Sequence, residues 1–211
     1  MMPAITLYNY DLDENSFRVR LMLAMLKLEH ATIAIDMFPG QEQTRPTMLA
    51  INPQGTLPVL VDGDLTLAGT EAILAFLAKA YDPARTWLPE DAAGFGRVQG
   101  WLHFSATMLE NAKQARLQAL FDTPGDETAL RAGARKAFRI MDDHMTARHF
   151  DGADWFVGDK PSLADLTLFP SFALSRDFGI DHDEFPALRL WIRKFRALPG
   201  FFTMPGIPDY H

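Results

Sequence analysis

Pro58 stands at the mouth of a β-branched run, Asn52-Pro53-Gln54-Gly55-Thr56-Leu57-Pro58-Val59-Leu60-Val61-Asp62-Gly63, and that position limits what the segment can become. Proline has no N–H to give a sheet ladder, so it must precede a strand rather than lie within one. The segment therefore reads as a loop, a strand from Val59 to Val61, a turn at Asp62-Gly63 and a second strand from Leu65 to Leu67. Two readings of the Leu57–Pro58 bond remain. If trans, it is an ordinary turn before a strand. If cis, at a cost of only ~0.5–1 kcal/mol for an X-Pro bond, the bend turns the Leu57 N–H and C=O outward. An extended peptide ligand could then pair with them as an added strand.

Around this hairpin, period-2 and helical patterns alternate. They predict a strand from Ile5 to Tyr8, a helix from about Asn15 to Leu28, a strand from Thr32 to Ile35, a helix from about Glu42 to Ile51 and a helix from Thr70 to Lys79. The order β-α-β-α-β-β-α combines a parallel βαβ unit with an antiparallel hairpin and a covering helix, which predicts a mixed sheet with helices on both faces. Phe17, Leu21, Ala24 and Leu28 form one apolar stripe, and Ile73, Phe76, Leu77 and Ala80 another. Turn formers from Tyr81 to Pro89 mark a linker, beyond which strand patterning stops. Helical periodicity then covers about Ala92 to Leu120, Glu127 to Arg148, Ser162 to Ser175 and Pro186 to Ala197. The expected organisation is an α/β domain over residues 1–81 and an all-helical domain over residues 90–211. Ser162-Leu163-Ala164-Asp165 reads as a capping box, with aspartate in the usual place of glutamate, and so as a folding signal rather than a catalytic pair.

Composition excludes several chemistries. The 211 residues include no cysteine, which removes disulfides, thiolate metal sites and any protein-thiol nucleophile. The six histidines form no metal signature; they read as surface or helix-end residues, and no metal is expected. A formal charge of −7 without a basic stripe argues against nucleic acid as a partner. No apolar run approaches the ~18 residues of a membrane span. Met1-Met2-Pro3-Ala4 passes directly into strand-like residues, so a cytoplasmic protein is expected, with no membrane partner.

The element order, the linker, the helical second half and the Ser162-x-x-Asp165 box together resemble the soluble glutathione transferase superfamily. Ser16-Phe17-Arg18-Val19-Arg20, Glu42-Gln43-Thr44-Arg45-Pro46, Asn52-Pro53 to Leu57-Pro58, Thr70-Glu71-Ala72-Ile73 and Gly158-Asp159-Lys160-Pro161-Ser162 are also similar to segments of that family. The likeness is to a bacterial-like member without a catalytic cysteine, and covers nearly the whole chain. It implies an α/β thioredoxin-like first domain, an all-α second domain, glutathione as co-substrate, and an acceptor pocket between the domains for a small hydrophobic electrophile, as in detoxification. It also implies a homodimer.

By the same resemblance, Pro58 follows a cis bond and Leu57 pairs with the cysteinyl backbone of glutathione. Thr70 and neighbouring helix N–H groups hold the γ-glutamyl carboxylate, and Gln43 meets the glycyl end. Three positions depart from the family: Asp13, at or beside the place of the usual thiol-activating serine or tyrosine; Thr56, in place of a common lysine; and Gly69, in place of an acidic or amide residue that meets the glutathione amino group. Asn15 and Ser16 are the candidates to hydrogen-bond the thiolate, with Ser16 preferred because its hydroxyl can rotate to donate. Trp101, Phe104, Met108 and Arg116 are the candidates for the acceptor pocket, although aromatic and Met residues at this spacing also suit a core. The departures favour a second reading, a noncatalytic protein of the same fold that binds a partner protein. Glutaredoxin-like chemistry by a protein thiol fails for want of cysteine.

Overall fold

A computed structural model describes residues 4–207. Met1, Met2 and Pro3, on which the reading of the N-terminus rests, and His211, one of the six histidines, lie outside the described residues. The chain divides at Pro83/Ala84 into two compact units.

The first unit contains β1 (Ile5–Asn9), α1 (Glu14–Met25), β2 (His30–Ala34), α2 (Pro46–Leu49), β3 (Val59–Asp62), β4 (Leu65–Ala68) and α3 (Thr70–Tyr81), with a 3-10 turn at Glu42–Thr44. The sheet order is β2-β1-β3-β4, parallel between β1 and β2 and antiparallel elsewhere. This is the mixed sheet that the pattern of the sequence predicts. Leu7, Val59 and Leu60 are buried in it, and α1 and α3 bury Phe17, Leu21, Ile73 and Leu77.

Two expected helices differ. The stretch Glu42 to Ile51 is broken because Arg45 is extended (φ −73°, ψ 153°) ahead of Pro46, which opens α2. A residue before proline is pushed out of the helical region by clash with the ring. The stretch Ala92 to Leu120 is also two helices, α4 (Ala92–Thr107) and α5 (Glu110–Phe121). At their junction the Leu109 N–H reaches the Phe104 carbonyl, five residues back, at 3.4 Å, so the i to i−4 ladder is interrupted.

The second unit continues with α6 (Glu127–Phe150), α7 (Leu163–Ala173) and α8 (Pro186–Arg196), and with 3-10 turns at Ser175–Phe178 and His182–Glu184. Every residue of α7 is buried, so the unit is organised around it. Its capping box forms as expected. The Ala164 N–H donates to Ser162 Oγ at 3.2 Å, and the Ser162 N–H donates to Asp165 Oδ2 at 2.9 Å. Asp165 Oδ1 goes further, accepting from the Phe156 N–H and from Trp191 Nε1 on α8, both at 3.0 Å. The histidine reading needs correction. His182 is only 2% exposed and its Nε2 donates to the Phe172 carbonyl at 3.0 Å, while half-buried His144 lies against the rings of Trp101 and Phe156.

Candidate functional site

Strand register gathers the candidate residues of the first unit at one end of the sheet. Val59 pairs with Tyr8 on one side and Ala68 on the other, so Pro58, Asn9 and Gly69 are neighbours there. Asn9 pairs in turn with Ala34, which brings the exit of β2, and the segment leading to Gln43, to the same end. Both α1 and α3 begin here, so two helix N-termini, each with unsatisfied N–H groups and positive partial charge, start from one edge.

At the start of α1, Asp13 is the N-cap, with extended backbone (φ −80°, ψ 124°). Its Oδ2 accepts from the Ser16 N–H at 2.7 Å and from the Ser16 hydroxyl at 2.8 Å. Ser16 is wholly buried, and its Oγ also receives the Tyr10 N–H at 3.4 Å. The single hydroxyl proton is therefore given to Asp13 in this arrangement. The Asp13 carboxylate is likewise turned into the cap. Asn15 is half-buried; its Oδ1 accepts from Arg18 Nη1, which leaves the amide NH2 directed away from that partner. Arg18 is itself buried and donates through Nη2 to Glu14 Oε1 at 3.1 Å.

At the start of α3, Gly69 takes φ +92°, a region that a side chain makes costly, and no side chain caps the helix among the described residues. Thr70, the first helical residue, is 4% exposed. The preceding loop is braced by Asn52, whose Nδ2 donates to the Thr56 carbonyl at 2.9 Å and to Thr56 Oγ1 at 3.1 Å, while its Oδ1 accepts from the Gln54 N–H. Thr56 thus serves the loop. The Leu57–Pro58 bond is cis, as is Phe38–Pro39, which the sequence reading did not single out. The Leu57 side chain is packed with Ile35, Met48 and Val59. Gln43 is 9% exposed, and its Oε1 has no hydrogen-bond partner among the described residues. A buried acceptor left unanswered costs about 1–3 kcal/mol, so a ligand donor or water is called for there.

The four acceptor-pocket candidates lie in the second unit and do not behave alike. Trp101 packs on Phe104, His144 and Phe156 with ring centroids 4.8–5.2 Å apart, an aromatic cluster at the edge of the core. Half-buried Met108 caps the C-terminus of α4. Arg116 is 2% exposed and its Nε donates to Asp177 Oδ2 at 2.7 Å, tying α5 to the turn after α7. Arg116 is engaged in that ion pair in this arrangement. Among the described residues, no group of three or more His, Cys, Asp or Glu could hold a metal, and no helix is long and apolar enough to cross a membrane.

Comparison with known proteins adds independent information. The family model described as glutathione S-transferase, N-terminal domain, matches residues 15–80, and that of the C-terminal domain matches residues 115–199. A probable maleylacetoacetate isomerase of Vibrio cholerae is 30% identical over 207 residues, covering 95% of this chain and 94% of that protein. Glutathione S-transferase 1 of Dianthus caryophyllus is 30% identical, covering 87% and 83%. Among solved structures, a possible glutathione S-transferase from Rhodopseudomonas palustris superposes with a TM-score of 0.83 at 26% identity, covering 95% of this chain and 98% of that one.

Proposed function

Because this chain belongs to the glutathione S-transferase family, we propose that it binds glutathione on its first unit and directs the thiolate at a hydrophobic electrophile. The observation that carries this reading is the uncapped N-terminus of α3, with Gly69 and buried Thr70, set beside Pro58 by the β3–β4 register. A carboxylate there answers N–H groups that no N-cap side chain serves among the described residues, which stabilises it by ~0.3–1 kcal/mol, and up to ~2 when partly buried. The glycyl end would supply an amide N–H to the unanswered Oε1 of Gln43. Gly69 itself offers no side chain to the amino group, so that contact falls to backbone or water.

Thermal stabilisation by millimolar glutathione tests the reading, since a ligand at 100 times its Kd stabilises by ~2.7 kcal/mol. Absence of stabilisation, together with no retention on immobilised glutathione, would favour the noncatalytic alternative. Thr70→Val, which keeps the shape and removes the hydroxyl, should raise the Kd for glutathione by ~10-fold or more, the scale of a hydrogen bond to a charged group. Turnover at saturating glutathione should change little; a variant that binds normally would remove Thr70 from the site.

The isomerase name of the Vibrio relative favours a second reading of the same site. A thiolate that adds to an activated double bond and leaves again isomerises the substrate and regenerates glutathione. Measuring whether glutathione is consumed per turnover separates this from conjugation. The reading also includes a symmetric homodimer, whose interface would bury at least ~1,200 Å² in total. Sedimentation at micromolar concentration should give twice the chain mass, and a monomer would refute it.

A further inference from the structure

Glu14 and Asn15 open α1 and stand four and three residues ahead of Arg18, spacings at which side chains on a helix meet. Arg18 Nη2 donates to Glu14 Oε1 at 3.1 Å, and Arg18 Nη1 donates to Asn15 Oδ1. The ion pair is shut away from solvent, its two side chains 3% and 5% exposed, whereas Asn15 is half-buried. A pair of this kind is a poor device for stability alone. Desolvation of the two charges offsets most of their attraction, and apolar residues of similar volume often serve a core as well.

What the pair does hold is the orientation of Asn15. A carboxamide has two ends of nearly the same shape, an oxygen that accepts and an NH2 that donates. A guanidinium carries donors only, so the end of Asn15 that meets Arg18 is the oxygen. The NH2 is directed away from Arg18 and has no hydrogen-bond partner among the described residues. The guanidinium is planar and rigid, so anchoring Nη2 on Glu14 sets the line along which Nη1 approaches Asn15. A direct effect of the Arg18 charge on a thiolate is opposed by the Glu14 carboxylate bonded to it.

We propose that Arg18 is a positioning residue: anchored by Glu14, it turns the Asn15 amide so that the NH2 serves the thiolate of bound glutathione. This rests on the glutathione reading above. The test is a double-mutant cycle over Asn15→Ala and Arg18→Met, read by the ultraviolet absorbance of the thiolate titrated in the glutathione complex, with the Kd of each variant measured by calorimetry. Arg18→Met should raise the bound thiol pKa by about 0.5–1 unit, which leaves ~3–10-fold less thiolate below that pKa. The Kd at about pH 5.5, where the thiol is protonated both free and bound, should not change. In an Asn15→Ala background the same substitution should have no further effect, because Arg18 acts only through that amide; a disturbed fold or a direct charge effect adds to the loss instead. Glu14→Gln/Arg18→Met removes both charges together and leaves the net charge unaltered, so it should raise the pKa as Arg18→Met does, and it serves where the single variant does not fold. An unchanged thiol pKa in both Arg18 variants, or additive rises in the cycle, would overturn the proposal while glutathione binding stands. A parent protein that binds no glutathione would overturn the glutathione reading and the proposal with it.

Discussion

Asp165→Ala is expected to destabilise the protein by roughly 3 kcal/mol or more, while the folded fraction still binds glutathione. The substitution strips the acceptor from three buried N–H donors at once: the Phe156 and Ser162 backbones and Trp191 Nε1. Each donor left unanswered in the core costs about 1–3 kcal/mol, so the sum exceeds what a cap alone contributes. Ser162→Ala, which removes only the cap oxygen, should cost about 1 kcal/mol. Asp165→Asn should fall between them, because one oxygen survives while its NH2 meets the Ser162 N–H. Urea unfolding of the three variants gives the order directly. If Asp165→Ala matched Ser162→Ala, the bonds to Phe156 and Trp191 would be contributing nothing.

The same carboxylate carries a pH signature. Burial pushes its pKa up from 3.8 to about 6, against the opposing pull of its hydrogen bonds to Phe156, Ser162 and Trp191. Since the folded value lies above the unfolded one, the folded protein binds the extra proton between them. The stability contributed by the protonated group is therefore fully present below about pH 3.8 and is lost as pH rises through about 6. The stability of the parent protein relative to Asp165→Asn, which does not titrate there, should fall across that window. A gap that widened with pH would mean that the hydrogen bonds, not burial, govern the pKa.

What could be read in advance follows the range of the interactions involved. Pro58, the hairpin after it and the Ser162 box lie within a few residues of their own partners, so their chemistry is written in consecutive positions. The β-α-β-α-β-β-α order was likewise visible in the change of hydrophobic period. The break at Arg45 was available in the residue-before-proline rule and was obscured by a helical pattern that runs on through Pro46. The break at Leu109 has no glycine or proline to announce it. For the bonds of Ser16 a local signal exists: Asp13 three residues ahead is an N-cap arrangement, and it takes both the N–H and the hydroxyl of Ser16. Arg116 meets Asp177 across 61 residues, a pairing that no local pattern encodes. The meeting of Asn9, Pro58 and Gly69 at one sheet end depends on register between separate strands, which periodicity does not supply.

Asn15→Ala should raise the pKa of bound glutathione and cut turnover at pH 7 by ~10–100-fold, with activity recovering at higher pH as the thiol ionises unaided. A free thiol titrates near ~8.5, so mostly thiolate at neutral pH needs a drop of about two units, roughly 2.7 kcal/mol. The N-terminus of α1 supplies only ~0.3–1 kcal/mol of this, which leaves the rest to a hydrogen bond, worth ~1.5–3 kcal/mol when one partner is charged. With Ser16 committed to Asp13, the donor at hand is the Asn15 amide, whose oxygen is occupied by Arg18. That bond fixes which end of the amide is left to donate, so Arg18→Met should shift the thiol pKa in the same direction by less. Because the change also takes the Arg18 ion pair from buried Glu14, the double variant Glu14→Gln/Arg18→Met separates orientation from folding. Ser16→Ala should lower the melting temperature and leave the thiol pKa where it was. A thiolate absorbance titration showing the opposite, a raised pKa in Ser16→Ala and none in Asn15→Ala, would return the role to the serine and require its hydroxyl to release Asp13 when glutathione binds.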